Sequence, residues 1–107
     1  MATETIPVTV TPEARALAKE YGVERELDAV LDKGRELVAG LRALEVGVEA
    51  WAEEGDVCIV VRAIVDPALE NDPSHLEWRT WRIDEFGWEK ASRFLVVAWP
   101  FRGDHEG

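Results

Sequence analysis

The sequence predicts an α+β domain in which helices pack on one face of a small sheet. The chain has 107 residues, of which 47% are apolar, so it can form one domain with its own core. Apolar residues recur at helical spacing early in the chain and alternate at strand spacing in its middle. The predicted order is β-α-α-β-β-α-β, a two-layer sandwich with about four strands in which β-α-β connections can make the sheet mixed.

The first strand and the first helix follow from residues 8–22. Residues 8–11 alternate valine and threonine, which is typical of a short, half-buried strand. Thr11 is a suitable N-cap, and Pro12 is favoured at the first helical position. Gly22 can end this helix, because glycine adopts the left-handed conformation at little cost.

A second helix has the clearest pattern in the chain. Its apolar stripe consists of Leu27, Val30, Leu31, Gly34, Leu37, Val38 and Leu41. Gly34 inside this stripe costs about 1 kcal/mol of helix propensity relative to alanine, which a close approach of another element would justify. We place the end of the helix near residues 39–40.

Two strands follow and form an antiparallel hairpin. Residues 44–52 alternate strictly between apolar and other side chains, as in a strand with one wet face. Residues 53–56 are a turn, and residues 57–65 are apolar on both faces except at Arg62, as in a central strand. The face opposite Arg62 should point toward the helices; it carries Val57, Ile59, Val61 and Val65.

The last third of the chain predicts a loop, a helix and a strand. The helix covers residues 74–86, begins at Asp72-Pro73 or at the capping box Ser74-x-x-Glu77, and stops at Gly87. Residues 76–83 also have partial period-2 character, so a strand is the alternative. Residues 94–101 are the final strand, in which Pro100 marks an end or an edge. Residues 8–101 form the ordered part of a single domain, with flexible ends at 1–7 and 103–107.

Charge and cysteine usage restrict the partners and the compartment. The chain has 12 basic and 22 acidic residues and a net charge of −10, which argues against nucleic acid and anionic membranes. Cys58 is the single cysteine, which fits a reducing cytosol. No signal peptide and no apolar run long enough for a bilayer span is present. We therefore expect a cytoplasmic protein of bacterial type.

Residues 8–14 (VTVTPEA) and 21–27 (YGVEREL) resemble a family of small uncharacterised prokaryotic α+β proteins. Those proteins continue with an acidic hairpin, an Asp-Pro helix and a last apolar strand, here residues 44–65, 72–86 and 94–101. The segment 78–88 is shorter and richer in tryptophan than that pattern. The resemblance implies the fold and brings no established activity and no catalytic residues.

Few residues point to catalysis or to a metal. Glu24, Asp28, Asp32 and Glu36 lie in a row on one helix face, but a solvated face with i,i+3 ion pairs explains them better. Asp66, Glu70, Asn71 and Asp72 lack the spacing of a calcium loop. His75 could act in acid–base chemistry, and His105 lies in the tail. Without hydrolase, P-loop or dinucleotide motifs, we expect no enzyme, no cofactor and no metal.

Tryptophan is the unusual feature, with five in the chain. Trp78, Trp81 and Trp88 are interleaved with Arg79 and Arg82. On a helix, Leu76, Thr80 and Ile83 share one face, and Trp78 and Trp81 lie on another. Tryptophan is enriched at interface centres. The predicted interaction surface therefore consists of Trp78, Arg79, Trp81, Arg82 and Trp88. The alternative is that the three tryptophans roof the core of the domain itself.

A sheet face could add further contacts, through Trp51, Arg62, Trp99 and Phe101. The predicted function is a small acidic interaction protein that forms a homodimer or docks a partner protein. The alternative is a small-molecule binder, or an enzyme of unknown reaction, with an aromatic pocket beside Arg79, Arg82 and His75. The identity of the partner and the strand order stay open at this point.

Overall fold

The computed structural model describes residues 6–51 and 56–101. It consists of a four-stranded mixed sheet with helices on one face. The α+β class and the predicted element order are confirmed. The strands are β1 (Val8–Val10), β2 (Leu41–Trp51), β3 (Asp56–Val65) and β4 (Phe94–Pro100). The helices are α1 (Pro12–Tyr21), α2 (Glu24–Leu37), α3 (Ser74–Phe86) and the single turn α4 (Trp88–Ala91), with a 3-10 turn at Pro67–Leu69.

The strands lie in the order of the chain. The pairs β1–β2 and β3–β4 are parallel, and the central pair β2–β3 is antiparallel, as the hairpin prediction required. The predicted side-chain parity is also confirmed, because Ile59, Val61 and Val65 belong to the core on the helix side. The turn predicted at residues 53–56 and the flexible ends predicted at 1–7 and 103–107 fall mainly outside the described residues.

The two helical connections differ in hand. Helices α1 and α2 join β1 to β2, whereas α3 and α4 join β3 to β4, and residues of α1, α2 and α3 share one core on one sheet face. Both connections step toward the β4 edge of the sheet. The strands joined by the first connection, however, point opposite to the strands joined by the second. Two such crossovers must have opposite hands, so one of them departs from the right-handed preference of parallel strands.

The predicted ends of α1 are confirmed. The Thr11 Oγ1 accepts a hydrogen bond from the Ala14 N–H at 3.1 Å, and Gly22 ends the helix at φ 71°. Helix α2 stops at Leu37, before the predicted end near residues 39–40, because Val38 is already extended. Gly40 then turns the chain at φ 70°, and a Cβ there would lie 2.5 Å from Leu69 Cδ1. This tight turn lets β2 begin at residue 41, earlier than predicted.

Of the two predicted starts of α3, Asp72-Pro73 agrees with the structure and the capping box Ser74-x-x-Glu77 does not. Ser74 is the first residue of the helix, and its Oγ accepts from the Ala39 N–H at 2.9 Å. The carboxylate of Asp72 accepts from the Ser74 N–H at 2.9 Å instead. Hydrogen bonds from Ser74, and then the charge of the nearby His75, lower the pKa of Asp72. Residues 76–83 are helical, so the strand alternative is wrong for them.

Two short elements were not predicted. Asp66 directly follows β3 and accepts from the Ala68 N–H at 3.0 Å, so the segment predicted as a loop begins with a 3-10 turn. Helix α4 follows directly on Gly87 and buries Ala91. None of the helices within residues 6–51 and 56–101 is both long and apolar enough to cross a bilayer.

Candidate interaction surface

The structure places Trp78 in the core, so including it in the interaction surface was wrong. Its side chain is fully buried, and the indole Nε1–H donates to the Val30 carbonyl of α2 at 2.9 Å. Gly34 lies directly against the indole, since a Cβ built on it would be 2.9 Å from Trp78 Cζ2. The close approach predicted for Gly34 is therefore the packing of α3 on α2 through this ring.

The inward face of α3 is the reverse of the face that the aliphatic residues suggested. Leu76 is 53% exposed and Ile83 is also exposed, whereas Trp78 and Trp81 pack toward the core. Tryptophan removes more apolar surface from water than leucine or isoleucine, so the helix turns its indoles inward. The alternative, that tryptophans roof the core of the domain itself, holds for Trp78.

Trp81 is half-buried between α2 and α3. Its ring meets that of Phe86 edge-on at 5.3 Å between centroids, and the Lys33 Nζ lies 5.5 Å from it. A shallow cleft of about 550 Å³ borders it, lined by Leu37, Pro73, Leu76, Glu77, Thr80, Trp81 and Asp84. This cleft is not the predicted aromatic pocket beside Arg79, Arg82 and His75, because the charged residues that line it, Glu77 and Asp84, are acidic.

The other members of the predicted surface do not gather around one point. Trp88 is 67% exposed at the start of α4, and Arg79 is exposed on α3. Arg82 is half-buried and donates from Nη1 to the Arg79 carbonyl at 2.9 Å. Burial, and then the charge of Arg79, lower the pKa of Arg82. The buried Nε of Arg82 and the Nε2 of His75 have no hydrogen-bond partner within the described residues.

The second sheet face carries another group of apolar side chains. We call it the helix-free face, because the helices contribute to the core only on the opposite side. The strand register arranges it in rows across β2, β3 and β4. These rows are Gly47–Val60–Leu95, Glu45–Arg62–Val97 and Ala43–Ile64–Trp99, with Glu49–Cys58 beyond them.

The helix-free face is divided into an apolar and a charged part. Val60, Ile64 and Cys58 are buried in β3, Leu95 and Val97 are half-buried in β4, and Trp99 is 52% exposed. The charged part lies on β2, where Glu45 and Glu49 are exposed. Trp99, with the half-buried Leu95 and Val97 beside it, supplies the exposed apolar area of this face. A contiguous exposed apolar area bordered by polar residues is typical of a protein-interaction site.

The predicted sheet-face residues are partly brought together. Arg62 and Trp99 lie on the helix-free face, in the rows given above. Phe101 is half-buried just after β4, with the Arg42 guanidinium 4.3 Å from its ring. Arg42 also approaches the Asp66 carboxylate at 3.8 Å. Trp51 ends β2, but its side chain lies outside the described part of the structure.

Sequence patterns missed the residues that give this face its apolar character. Val60, Ile64, Leu95 and Val97 were treated only as parts of buried strands. A signal was available, because β3 is apolar on both parities while the predicted helices need only one face. Covering the other face requires a second layer, and the chain has no further helix predicted for it.

Several acidic residues considered as metal ligands, and Cys58, are paired or buried within the domain. Asp32–Arg35 and Lys33–Glu36 form the expected i,i+3 ion pairs on α2, at 2.8 and 3.0 Å. Asp66 and Asp72 accept backbone hydrogen bonds, and Cys58 is buried in β3. Within residues 6–51 and 56–101, no three His, Cys, Asp or Glu side chains are grouped as a metal site would need.

Comparison with known proteins adds no assignment. No model of a known protein family matches the chain, and no curated protein matches its sequence. The resemblance of residues 8–14 and 21–27 to small prokaryotic proteins therefore stays a prediction. Any functional proposal must be based on the geometry of the surfaces.

Proposed function

We propose that the protein acts by binding protein chains, and first of all its own, through the β4 part of the helix-free face. The observation that carries this proposal is Trp99, which is 52% exposed beside Leu95, Val97 and Ile64, on the sheet face opposite the core that the described helices share. Burying this group against a second chain removes apolar area from water, which stabilises the complex by about 25 cal/mol per Å². The single cysteine fits action in a reducing cytoplasm.

The geometry favours this face over the surface that the sequence suggested. Trp78 is unavailable in the core, and Trp81 is engaged with Phe86 and Lys33. Trp88 is exposed but begins a four-residue helix. On β4, in contrast, three apolar side chains point the same way along one strand, and residues 94–100 carry no charge. A strand face of this kind can be covered by another sheet or strand.

Replacing Trp99 with lysine tests the proposal. We expect the wild-type chain to self-associate reversibly between about 2 and about 200 µM, and Trp99→Lys to weaken this at least about fivefold. Sedimentation velocity over this range measures both. Trp88→Lys is the matched control, because it makes the same change at a similarly exposed tryptophan outside the face. Equal weakening by the two variants, or a wild-type chain that stays monomeric throughout, would contradict the proposal.

A further inference from the structure

The outer edge of β4 presents backbone groups that pair with nothing in the described structure. The Ile59 N–H donates to the Arg93 carbonyl, and the Phe101 N–H donates to the Val65 carbonyl. With the parallel register Ile59–Phe94, these bonds show that the odd-numbered residues of β4 bond to β3. The N–H and C=O groups of Phe94, Val96 and Ala98 therefore point away from the sheet.

This edge lacks the usual protection of edge strands. Proteins blunt such edges with charges, prolines, bulges or very short strands. The other edge, β1, has only three residues and lies between Pro7 and Pro12. Strand β4 has seven residues, no charge, and a proline only at its last position, Pro100. An unblunted apolar edge next to an exposed tryptophan is suited to receiving another strand.

We infer that the occupant of this edge is β4 of a second copy, added antiparallel with the two-fold axis at Val96; this rests on the self-association proposed above. In that register Val96 faces Val96 of the second copy, and Phe94 faces Ala98 in both directions. These three pairs use every outward N–H of the strand, and each pair exchanges two hydrogen bonds. An axis at Val97 instead places Phe94 opposite Pro100, which has no N–H to donate.

The side chains suit a second copy at this axis. On the helix side, the large Phe94 lies opposite the small Ala98, and the pair recurs symmetrically. On the helix-free face, Leu95 of one copy lies opposite Val97 of the other, so the apolar areas of both copies join. Residues 94–98, which pair in this register, carry no charge, and Arg93 of each copy lies opposite Trp99 of the other, so no acidic residues of the two chains meet there. Because a strand edge buries little area, we expect dissociation constants of about 1–100 µM.

Ala98→Pro tests the inference with little intramolecular loss. The Ala98 N–H points outward, so proline there removes no hydrogen bond to β3 but blocks the incoming strand. We expect self-association at least about tenfold weaker by sedimentation velocity, with the circular dichroism of the fold retained. Ala98→Ser keeps the N–H and is the matched control, with self-association within about threefold of wild type.

Amide hydrogen exchange of the wild-type chain supplies a second test that needs no variant. Above the dissociation constant, the Val96 and Ala98 amides should exchange several-fold more slowly than below it, while Leu95 and Val97 are protected in both cases. If Val96 exchange does not depend on concentration although dimers form, the edge inference is wrong. If Ala98→Pro leaves self-association intact while Trp99→Lys weakens it, the faces pack instead, and only the proposed function survives. A monomeric wild type overturns both.

Discussion

At the scale of single residues, the pair of Gly34 and Trp78 decides how α3 sits on α2. The indole is buried against the glycine and donates its N–H to the Val30 carbonyl. The sequence indicated that something must approach Gly34, but it could not identify Trp78. Helical spacing shows which residues share a face and not which face turns inward. Here the area of two indoles outweighs that of Leu76 and Ile83.

Gly34→Ala should lower the free energy of unfolding. Alanine adds about 1 kcal/mol of helix propensity, but its Cβ would lie 2.9 Å from the rigid indole ring. Overpacking of this kind costs about 1–3 kcal/mol, so we expect a net loss. Urea unfolding followed by tryptophan fluorescence measures it. Gly47→Ala is the control, because a Cβ at Gly47 meets no atom within 4 Å. A stabilising Gly34→Ala would mean that the ring does not pack there.

At the scale of elements, α1, the β2–β3 hairpin and β4 were predicted closely because local signals define them. Thr11, Pro12 and Gly22 determine the ends of α1, and strict alternation determines the hairpin. The start of α3 was left open between Asp72 and Ser74, because each can cap a helix. In the structure the Asp72 carboxylate accepts from the Ser74 N–H. Ser74 instead bonds to the Ala39 N–H, from a segment 35 residues earlier. Helix α4 is a single turn, too short for periodicity to indicate.

Asp72 should make the stability of α3 depend on pH. Its pKa is lowered in the folded state by the Ser74 hydrogen bonds, so its contribution is present above the unfolded pKa and lost as pH falls through the folded one. Asp72→Asn keeps an acceptor but does not titrate. We expect wild type to exceed Asp72→Asn in melting temperature above about pH 5, with the difference shrinking below about pH 4. A difference that is constant with pH would contradict this role, and Asp72→Ala shows the loss of the acceptor itself.

At the scale of the whole molecule, the sequence predicted a sheet with helices on one face, but it did not show which surfaces of the sheet would be open to a partner. A sheet covered by helices on one side leaves the other side and both edges to be explained. Strand order was needed to know that β4 is an edge, and register was needed to know which side chains share a row with Trp99. Neither follows from the periodicity of a single segment, because both depend on contacts between distant parts of the chain.

The net charge of −10 gives this association a characteristic response to salt. Two copies repel each other, whereas β4 contributes only apolar and backbone contacts. Screening should therefore tighten the dimer, since the Debye length falls from about 30 Å at 0.01 M to about 10 Å at 0.1 M salt. Binding held by pairs of opposite charges would weaken instead.

Sedimentation equilibrium of the wild-type chain at low and moderate salt therefore tests the central claim most directly. The account predicts a reversible monomer–dimer equilibrium with a dissociation constant of about 1–100 µM, tighter at about 0.1 M than at about 0.01 M salt. A chain that remains monomeric at about 200 µM in 0.1 M salt, or a dimer that dissociates as salt is added, would contradict it.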